Sequence, residues 1–233
     1  MTEIKLRNRK ELEKVVEKIS QSFEFKDAHL ELSSDTRSKE LVEFIGEHFF
    51  PDETLNKSLQ LTFDDAARNI FLDLLSDNLS VLLISNSNDE IIACRTMYIA
   101  KKHDVTDWSM ISNKKLETVF TFLGHKYNEM DVFKRFNVDT AVGFLSLATH
   151  RNYRAQGIAS KLMEATLLFC KELGFSPVCI KGEGTSLYAQ KIYEKFGFET
   201  IHIMRFDEYK IDHEIVFKHT GDIEAVKCYV KKL

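Results

Sequence analysis

The second half of the chain alternates short apolar runs with amphipathic stretches, and this alternation restricts the possible folds most strongly. It predicts strand, helix, strand, helix and strand over residues 142–149, 156–173, 177–181, 186–196 and 198–206. Strands that alternate with helices of this length are typical of sheets with helical crossovers. We therefore expect the α/β class, with a twisted mixed β-sheet flanked by helices on both faces.

The first half of the chain adds elements that can join the same sheet. Apolar residues at helical spacing predict an amphipathic helix near the N-terminus. Apolar runs predict strands at 29–33, 80–86 and 90–100. No linker rich in Pro, Gly or Ser divides the chain, so we interpret residues 1–27 as an N-terminal extension and 28–233 as a single domain.

Further helices and local signals complete the predicted arrangement. Helices are expected at 62–77 and 113–129. Residues 33–35, Ser-Ser-Asp, offer N-caps for another helix, which Pro51 should disrupt. The tail, 213–231, contains two apolar segments that we interpret as two closing strands.

Composition and charge exclude several classes of protein. The chain is 44% hydrophobic and 11% aromatic, which is enough for a core and argues against disorder. A net charge of −4 removes the strongest argument for a nucleic-acid partner. Four widely spaced cysteines without a CxxC pair predict reduced core thiols, and the histidines show no metal-binding spacing, so no metal is expected.

The expected location and partners follow from similar observations. No run of 18 or more apolar residues suggests a membrane span, and the charged start lacks a signal-peptide core. We therefore expect a cytoplasmic protein, a monomer or weak homodimer, without a membrane partner. Residues 31–90 hold 13 acidic and 4 basic side chains. This balance would suit a cationic substrate, although an ordinary solvated face explains it as well.

A basic turn between a predicted strand and a predicted helix is the most informative stretch. Here Arg154-x-x-Gly157-x-Ala159 precedes a helix whose first backbone N–H groups, in residues 155–160, have no intrahelical partner. Together with the helix dipole they form a cradle for a pyrophosphate, and Gly157 allows close approach. The alternative is a tight strand-to-helix turn with incidental arginines.

A second motif follows about thirty residues later. It has the pattern Ser186-x-x-Ala189-x-x-Ile192-Tyr193 and ends at Gly197-Phe198. Together with the basic turn described above, this motif resembles the GCN5-related N-acetyltransferase (GNAT) superfamily. The resemblance implies an enzyme that uses acetyl-CoA as cosubstrate.

The resemblance also implies roles for individual residues. Ser186 matches a polar residue that reaches the cofactor, and Tyr193 matches the tyrosine that protonates the departing thiolate. The resemblance implies two groups of cofactor-binding residues. The strand that pairs with pantetheine, in a gap of the sheet, is Leu147, Ala148 and Thr149. The turn that binds the pyrophosphate is Arg154, Ala155, Gln156, Gly157, Ile158, Ala159 and Ser160.

A more specific likeness concerns the substrate. Residues 49–56, FFPDETLN, resemble the FFxDEPLN segment of invertebrate-type arylalkylamine N-acetyltransferases, and the likeness covers roughly residues 28–233. In that family the glutamate of the segment is the general base, which implies this role for Glu53. The alternative is that Glu53 only caps the following helix.

Several positions depart from the family pattern. Thr54 replaces the proline of the segment, and Ala189 replaces a serine found in some insect-type members. Gly143 and Leu145 stand where vertebrate-type enzymes carry histidines, so a histidine relay is not supported. Tyr193 is present, although some insect-type members lack the tyrosine.

The predicted activity is direct acetyl transfer to a small arylalkylamine of the dopamine, serotonin, tyramine or octopamine type. Two alternatives stay open. The same fold and donor could serve polyamines, amino acids or protein lysines, or the chain could be a catalytically silent acyl-CoA-binding module.

Overall fold

The computed structural model describes residues 6–104, 107–130 and 132–233, and their side chains except those of residues 125–130. Within these residues the helices are α1 (Arg9–Ser22), α2 (Ser38–His48), α3 (Thr54–Ser58), α4 (Asp65–Leu74), α5 (Lys114–Met130), α6 (Val132–Phe136), α7 (Ile158–Lys171) and α8 (Leu187–Lys195). The strands are β1 (Ala28–Leu32), β2 (Val81–Ser85), β3 (Ile91–Lys101), β4 (Thr140–Thr149), β5 (Cys179–Gly184), β6 (Glu199–Arg205), β7 (Lys210–Ile211), β8 (Glu214–Ile215) and β9 (Ala225–Lys232).

Seven strands form one sheet in the order β1-β2-β3-β4-β5-β9-β6. Only β4 and β5 are parallel within it, and the helix α7 connects them. Neighbouring pairs on either side are antiparallel. The predicted α/β class and mixed sheet are confirmed.

The parallel pair β4–β5 is short, and this positions the site. Only three residues of β4 pair with β5: Val142, Gly143 and Phe144 lie opposite residues 180–182. Directly after Phe144, two residues of β4 oppose the single Thr96 of β3, which is a β-bulge. A bulge bends its strand. The end of β4 therefore separates from β5, while it stays paired to β3 through Thr149.

Helices cover both faces of the sheet. On one face, α1 and α7 pack on the strands and bury Leu12, Val16 and Leu162. On the other face, α2 and α4 contribute Leu41 and Phe71 to a second buried cluster. This two-sided arrangement is the one that the alternating pattern predicted.

The N-cap prediction at residues 33–35 was wrong. The helix α2 begins at Ser38 after Arg37, and no side chain caps it. The hydroxyl of Ser33 instead accepts from the backbone N–H of Ser80, and the carboxylate of Asp35 accepts from the Asn78 side chain. These side chains connect segments that lie far apart in sequence, which a local pattern does not reveal.

The tail prediction was half right. The segment 225–232 is the strand β9 in the main sheet, but Glu214–Ile215 pairs only with β7 in a separate hairpin. The apolar residues that follow are buried in the core, but they do not form the predicted strand. Phe217, for example, is 2% exposed and packs against Phe122 and Phe206.

The helix α1 is attached to the sheet through Arg9. Its guanidinium donates hydrogen bonds to the carbonyl oxygens of Ser33 (2.6 Å), Asn78 (2.9 Å) and Leu32 (3.1 Å). The boundary between residues 27 and 28 stays a prediction, while α1 itself contributes to the same core as β1 and α7. No helix in the described ranges is long and apolar enough to cross a membrane.

Arg9→Gln should lower the free energy of unfolding by about 1–3 kcal/mol, since it leaves carbonyl oxygens without a charged donor. Lys10→Gln is the matched control, because Lys10 is exposed on the same helix turn. Urea unfolding of both variants measures the difference. Equal midpoints for Arg9→Gln and the control would show that the three hydrogen bonds do not hold α1 in place.

Candidate active site

A cavity of about 770 Å³ lies where β4 and β5 separate. Its wall combines the end of β4, the turn before α7, the α2–α3 segment, and side chains of β3, β5, α5 and α8. Both predicted motifs therefore contribute to one cavity, together with Glu53.

One part of the wall is apolar. Four phenylalanines line it, Phe49, Phe50, Phe71 and Phe120, together with aliphatic side chains of α5 and β4. Phe50 is 2% exposed, and its ring lies 5.1 Å from that of Phe63. The cavity can therefore accept an apolar or aromatic group from the side of α2 and α5.

The turn before α7 has the conformation that an anion cradle needs. Ala155 and Gly157 both have positive φ angles, 62° and 76°, and α7 begins at Ile158. Within the described residues, no backbone acceptor pairs with the N–H groups of residues 155–160. Several of these residues line the cavity, so free donors meet the positive end of the helix dipole there.

Arg154 connects this turn to the segment before Glu53. Its guanidinium donates to the Asp52 carboxylate at 2.8 Å, to the His48 carbonyl at 2.6 Å and to the Thr149 carbonyl at 3.1 Å. The Arg154 guanidinium keeps the pKa of Asp52 below its ordinary value, against the effect of burial. The predicted phosphate contact of Arg154 stays a prediction, and the structure shows in addition this bridging role.

Glu53 is buried at the start of α3. Its Oε2 accepts a 2.7 Å hydrogen bond from the backbone N–H of Asn56, so it does cap the helix. The other oxygen, Oε1, lacks a hydrogen-bond partner among the described residues. Burial raises the pKa of Glu53, and hydrogen bonds from the backbone of Asn56 and Leu55 and from the Thr185 side chain oppose this effect. One oxygen therefore fixes the side chain, and the other is a buried acceptor in a residue that lines the cavity.

Tyr193 also lines the cavity, from α8. Its ring is 3% exposed and stacks on Tyr229 with centroids 4.7 Å apart. Burial raises the pKa of Tyr193, and the nearby Arg95 guanidinium opposes this. A Cβ at Gly182 would come within 2.3 Å of the Tyr193 hydroxyl, so only glycine leaves room for it at the end of the β4–β5 pair.

Two charged cavity residues, Arg95 and Glu183, escaped the sequence analysis. Arg95 is 2% exposed and donates to the Tyr193 hydroxyl at 2.6 Å. Burial raises the pKa of Glu183 to about 8, and Arg95 opposes this effect. For Arg95 the signal was a charged residue inside the predicted strand 90–100, whereas Glu183 lies beyond the predicted strand 177–181 and within the observed β5.

Unpartnered buried polar atoms concentrate at this cavity. In the described part of the chain they are His48 Nδ1, Glu53 Oε1 and Arg95 Nε, and all three residues line it. Buried polar side-chain atoms normally find a partner, so exceptions need an explanation. Their location in one cavity is what a site built to bind a polar ligand requires.

Ser186 and the predicted end of β4 also line the cavity, whereas Gln156 of the predicted turn is not among the described residues that line it. Ser186 caps α8 by accepting from the Ala189 N–H at 3.2 Å. Leu147, Ala148 and Thr149 form the part of β4 that lacks a β5 partner. The predicted gap in the sheet is therefore present. No group of three or more potential metal-ligating side chains occurs among the described residues.

The family comparison agrees with this geometry. Residues 123–200 match the Acetyltransferase (GNAT) domain family. This stretch includes the separating end of β4, the turn, α7, β5 and α8. The chain has the fold of the GNAT acetyltransferases. The predicted superfamily resemblance and the predicted acyltransferase class are confirmed.

Solved structures show the same fold over most of the chain. Arylalkylamine N-acetyltransferase 2 from Aedes aegypti has a TM-score of 0.81 at 22% identity, covering 89% of this chain and 99% of that one. Drosophila melanogaster polyamine N-acetyltransferase, which catalyses the formation of N-acetylagmatine, has 0.76 at 18%, covering 89% and 100%. An Arabidopsis thaliana protein in complex with the bisubstrate analogue CoA-Ac-MVNAL has 0.51 at 16%, covering 89% and 100%.

The raised pKa of Glu183 makes the stability of this GNAT fold depend on pH. An ordinary Glu has a pKa of about 4.3, so the native state binds a proton more tightly than the unfolded chain. Stability is then lost as pH rises from that value through about 8, the pKa of Glu183. Glu183→Gln stays neutral, so it should be more stable than wild type at about pH 9, by on the order of 2–4 kcal/mol, with no such gain at about pH 4.

Thermal or urea unfolding at the two pH values measures this gain. Glu164→Gln removes an exposed carboxylate from α7 and serves as the control, for which we expect little change at either pH. A Glu183→Gln variant with the same relative stability at both pH values would mean that Glu183 is not held in an environment that disfavours its charge.

Proposed function

We propose that this protein transfers the acetyl group of acetyl-CoA directly to the primary amine of a small arylalkylamine, with Glu53 as general base and Tyr193 as general acid. The observation that carries the proposal is the arrangement of the cavity. A buried carboxylate with an unpartnered oxygen and a buried tyrosine line one cavity, next to free backbone donors of a strand-to-helix turn.

The donor side of the cavity suits acetyl-CoA. The free N–H groups of residues 155–160 would bind the pyrophosphate, because they are preorganised at a helix N-terminus. The unpaired edge of β4 at Leu147–Thr149 would receive the pantetheine arm as an additional strand and orient the thioester. The CoA analogue bound to a protein of the same fold supports this assignment.

The acceptor must lose a proton before it can attack. An alkylammonium has a pKa of about 10, close to that of lysine, so it arrives protonated at neutral pH. The raised pKa of Glu53 makes it a stronger base than an ordinary carboxylate, and its unpartnered Oε1 can take the proton. The C–N bond then forms as the C–S bond breaks, and Tyr193 donates its proton to the sulfur.

The apolar wall favours an acceptor with an aromatic body. Phe49, Phe50, Phe71 and Phe120 offer rings against which an aromatic group can pack. The similarity to the Aedes aegypti arylalkylamine enzyme supports the same acceptor class. The expected cytoplasmic location and monomeric or weakly dimeric state remain predictions.

A second candidate acceptor class is the polyamines and related dications such as agmatine. Glu183 favours it, because this half-buried carboxyl group on the wall would lose its proton more readily beside a second positive charge and would then attract that charge. The similarity to the Drosophila melanogaster polyamine enzyme points in the same direction. This alternative keeps the donor, the base and the acid unchanged.

Glu53→Gln should lower kcat by about 10²–10⁴-fold, since it removes the base but keeps a polar side chain of the same size. In the wild type, kcat should fall as pH decreases through the raised pKa of Glu53, because only the carboxylate accepts a proton. That acid limb should disappear from the residual activity of the variant. Steady-state kinetics across pH test this expectation, with Glu47→Gln as control, because Glu47 is an exposed carboxylate on α2.

Acetyl-CoA binding, measured by calorimetry, should be nearly unchanged in Glu53→Gln. Wild-type turnover in the variant would remove Glu53 from the mechanism. An equal loss of kcat in the Glu47→Gln control would show that removal of any negative charge in this part of the chain lowers kcat, so the loss in Glu53→Gln would not identify Glu53 as the base.

The acceptor class is tested by thiol release from acetyl-CoA with tyramine, dopamine, serotonin, spermidine, agmatine and a lysine peptide. We expect kcat/KM to be at least about tenfold higher for the aromatic amines, because only they have an aromatic ring that can pack against the apolar part of the wall. The Glu183→Gln variant separates the two classes. It should weaken turnover of spermidine and agmatine much more than that of tyramine if the dications bind there.

Highest turnover with spermidine or agmatine in the wild type, reduced selectively by Glu183→Gln, would replace the first acceptor class by the second. Tight acetyl-CoA binding without turnover of any of these amines would contradict the proposed function and favour a catalytically silent acyl-CoA-binding module.

A further inference from the structure

We propose that Arg95 is a positioning residue of this reaction. Its guanidinium holds the Tyr193 hydroxyl at the opening between β4 and β5 and supplies the positive charge beside which the tyrosine releases its proton. The inference rests on the proposed function, since it concerns the residue assigned there as general acid.

The burial of Arg95 is the first observation. The residue is 2% exposed in the middle of β3. Among the described residues no carboxylate oxygen lies within 4.0 Å of its guanidinium, although other buried or half-buried arginines such as Arg37 form several such pairs. Burying a charge without a counter-charge is strongly unfavourable. Such a residue therefore calls for a role that an apolar side chain does not fulfil.

The contacts of Arg95 show what it positions. Its Nη2 lies 2.6 Å from the Tyr193 hydroxyl oxygen. Its Cζ lies 4.0 Å above the ring centre of Phe144, the last β4 residue paired with β5. The guanidinium therefore stacks on the rim of the opening and reaches the tyrosine from there.

Gly182 completes the arrangement from the other strand. A methyl group at this position would lie 2.3 Å from the Tyr193 hydroxyl oxygen and 3.1 Å from Cβ of Phe144. The hydroxyl is therefore confined between the backbone of β5 and the guanidinium of Arg95. Two independent features of the sheet fix the same oxygen atom.

The direction of the hydrogen bond determines the chemistry. An arginine guanidinium has donors only, so the Tyr193 oxygen accepts, and its own proton is left for another acceptor. In the reaction the electron pair of the C–S bond goes to sulfur, and the tyrosine proton neutralises the thiolate. The tyrosinate that remains faces the guanidinium of Arg95 until it regains a proton from solvent.

Other groups around Tyr193 act in the opposite direction. Glu183 on β5 and Cys228 on β9 disfavour the negative tyrosinate, as does burial. Tyr229 on β9 stacks on the ring, and Tyr98 on β3 is a further, half-buried phenol of the same region. Arg95 favours the tyrosinate, both through its charge and through its hydrogen bond.

The test compares Arg95→Met, which keeps the length and packing of the side chain but removes the charge, with Arg95→Lys, which keeps the charge. Each substitution is made in the wild type and in Tyr193→Phe. With tyramine as acceptor, kcat and KM are measured between about pH 6 and 10. The affinity for acetyl-CoA and the thermal unfolding of each variant are measured as well.

In the wild-type background, Arg95→Met should lower kcat by about 10–100-fold and leave the acetyl-CoA affinity within about twofold. Removal of the nearby positive charge raises the pKa of the tyrosine further above its ordinary value, so kcat should be lower across the whole measured pH range. Arg95→Lys should restore part of kcat, because it keeps the positive charge. In Tyr193→Phe, Arg95→Met should add little further loss.

Different failures are distinguishable. Wild-type kcat in Tyr193→Phe would remove the acid role itself, and the inference would fall with the proposed function. A slow Tyr193→Phe enzyme in which Arg95→Met causes the same additional loss as in the wild type would overturn only the inference, since Arg95 would then act independently of the tyrosine.

Gly182→Ala provides a second route if Arg95→Met does not fold. The new methyl group should displace the Tyr193 hydroxyl from Arg95 and lower kcat in the wild-type background, with a smaller effect in Tyr193→Phe, which lacks the clashing oxygen. An equal loss in both backgrounds would contradict the proposed confinement of the hydroxyl.

Discussion

The short parallel pairing of β4 with β5 is the constraint on which the rest of the structure depends. Because the bulge after Phe144 bends β4, the two strands separate and leave backbone groups without a strand partner. In an ordinary sheet such a vacancy inside the core would be unfavourable. Here it opens into a cavity, and the turn that leads from β4 to α7 lines that cavity.

The charges around this opening follow a common pattern. Glu53, Glu183 and Arg95 come from a loop, β5 and β3, and each one borders the same cavity. Burial shifts the pKa of both carboxylic acids upward, and the arginine remains without a carboxylate partner among the described residues. These side chains reduce stability where they are, and such sites are commonly retained because they serve binding or catalysis. Away from this cavity, the buried polar side-chain atoms of the described residues have hydrogen-bond partners.

The sequence predicted the elements of the second half well, because alternating strands and helices have strong periodic signals and a few crossover topologies. It also placed Glu53 and Tyr193 in one site through family likeness. It did not predict Arg95 or Glu183, because the face that a strand residue occupies depends on register. The bulge opposite Thr96 changes the alternation of β4 next to Arg95. The caps at Ser33 and Asp35 failed for a related reason, since partners distant in sequence occupy these side chains.

The three-residue pairing also divides the sheet into two groups of strands, β1 to β4 and β5 with β9 and β6. Apart from that pairing, the groups are joined across the opening mainly by side chains and covering helices. A pantetheine arm that lay along β4 would add hydrogen bonds to the strand at the place where the two groups separate. The cosubstrate would then be a structural element of the sheet as well as a reactant, and its binding free energy would add to the stability of the folded sheet.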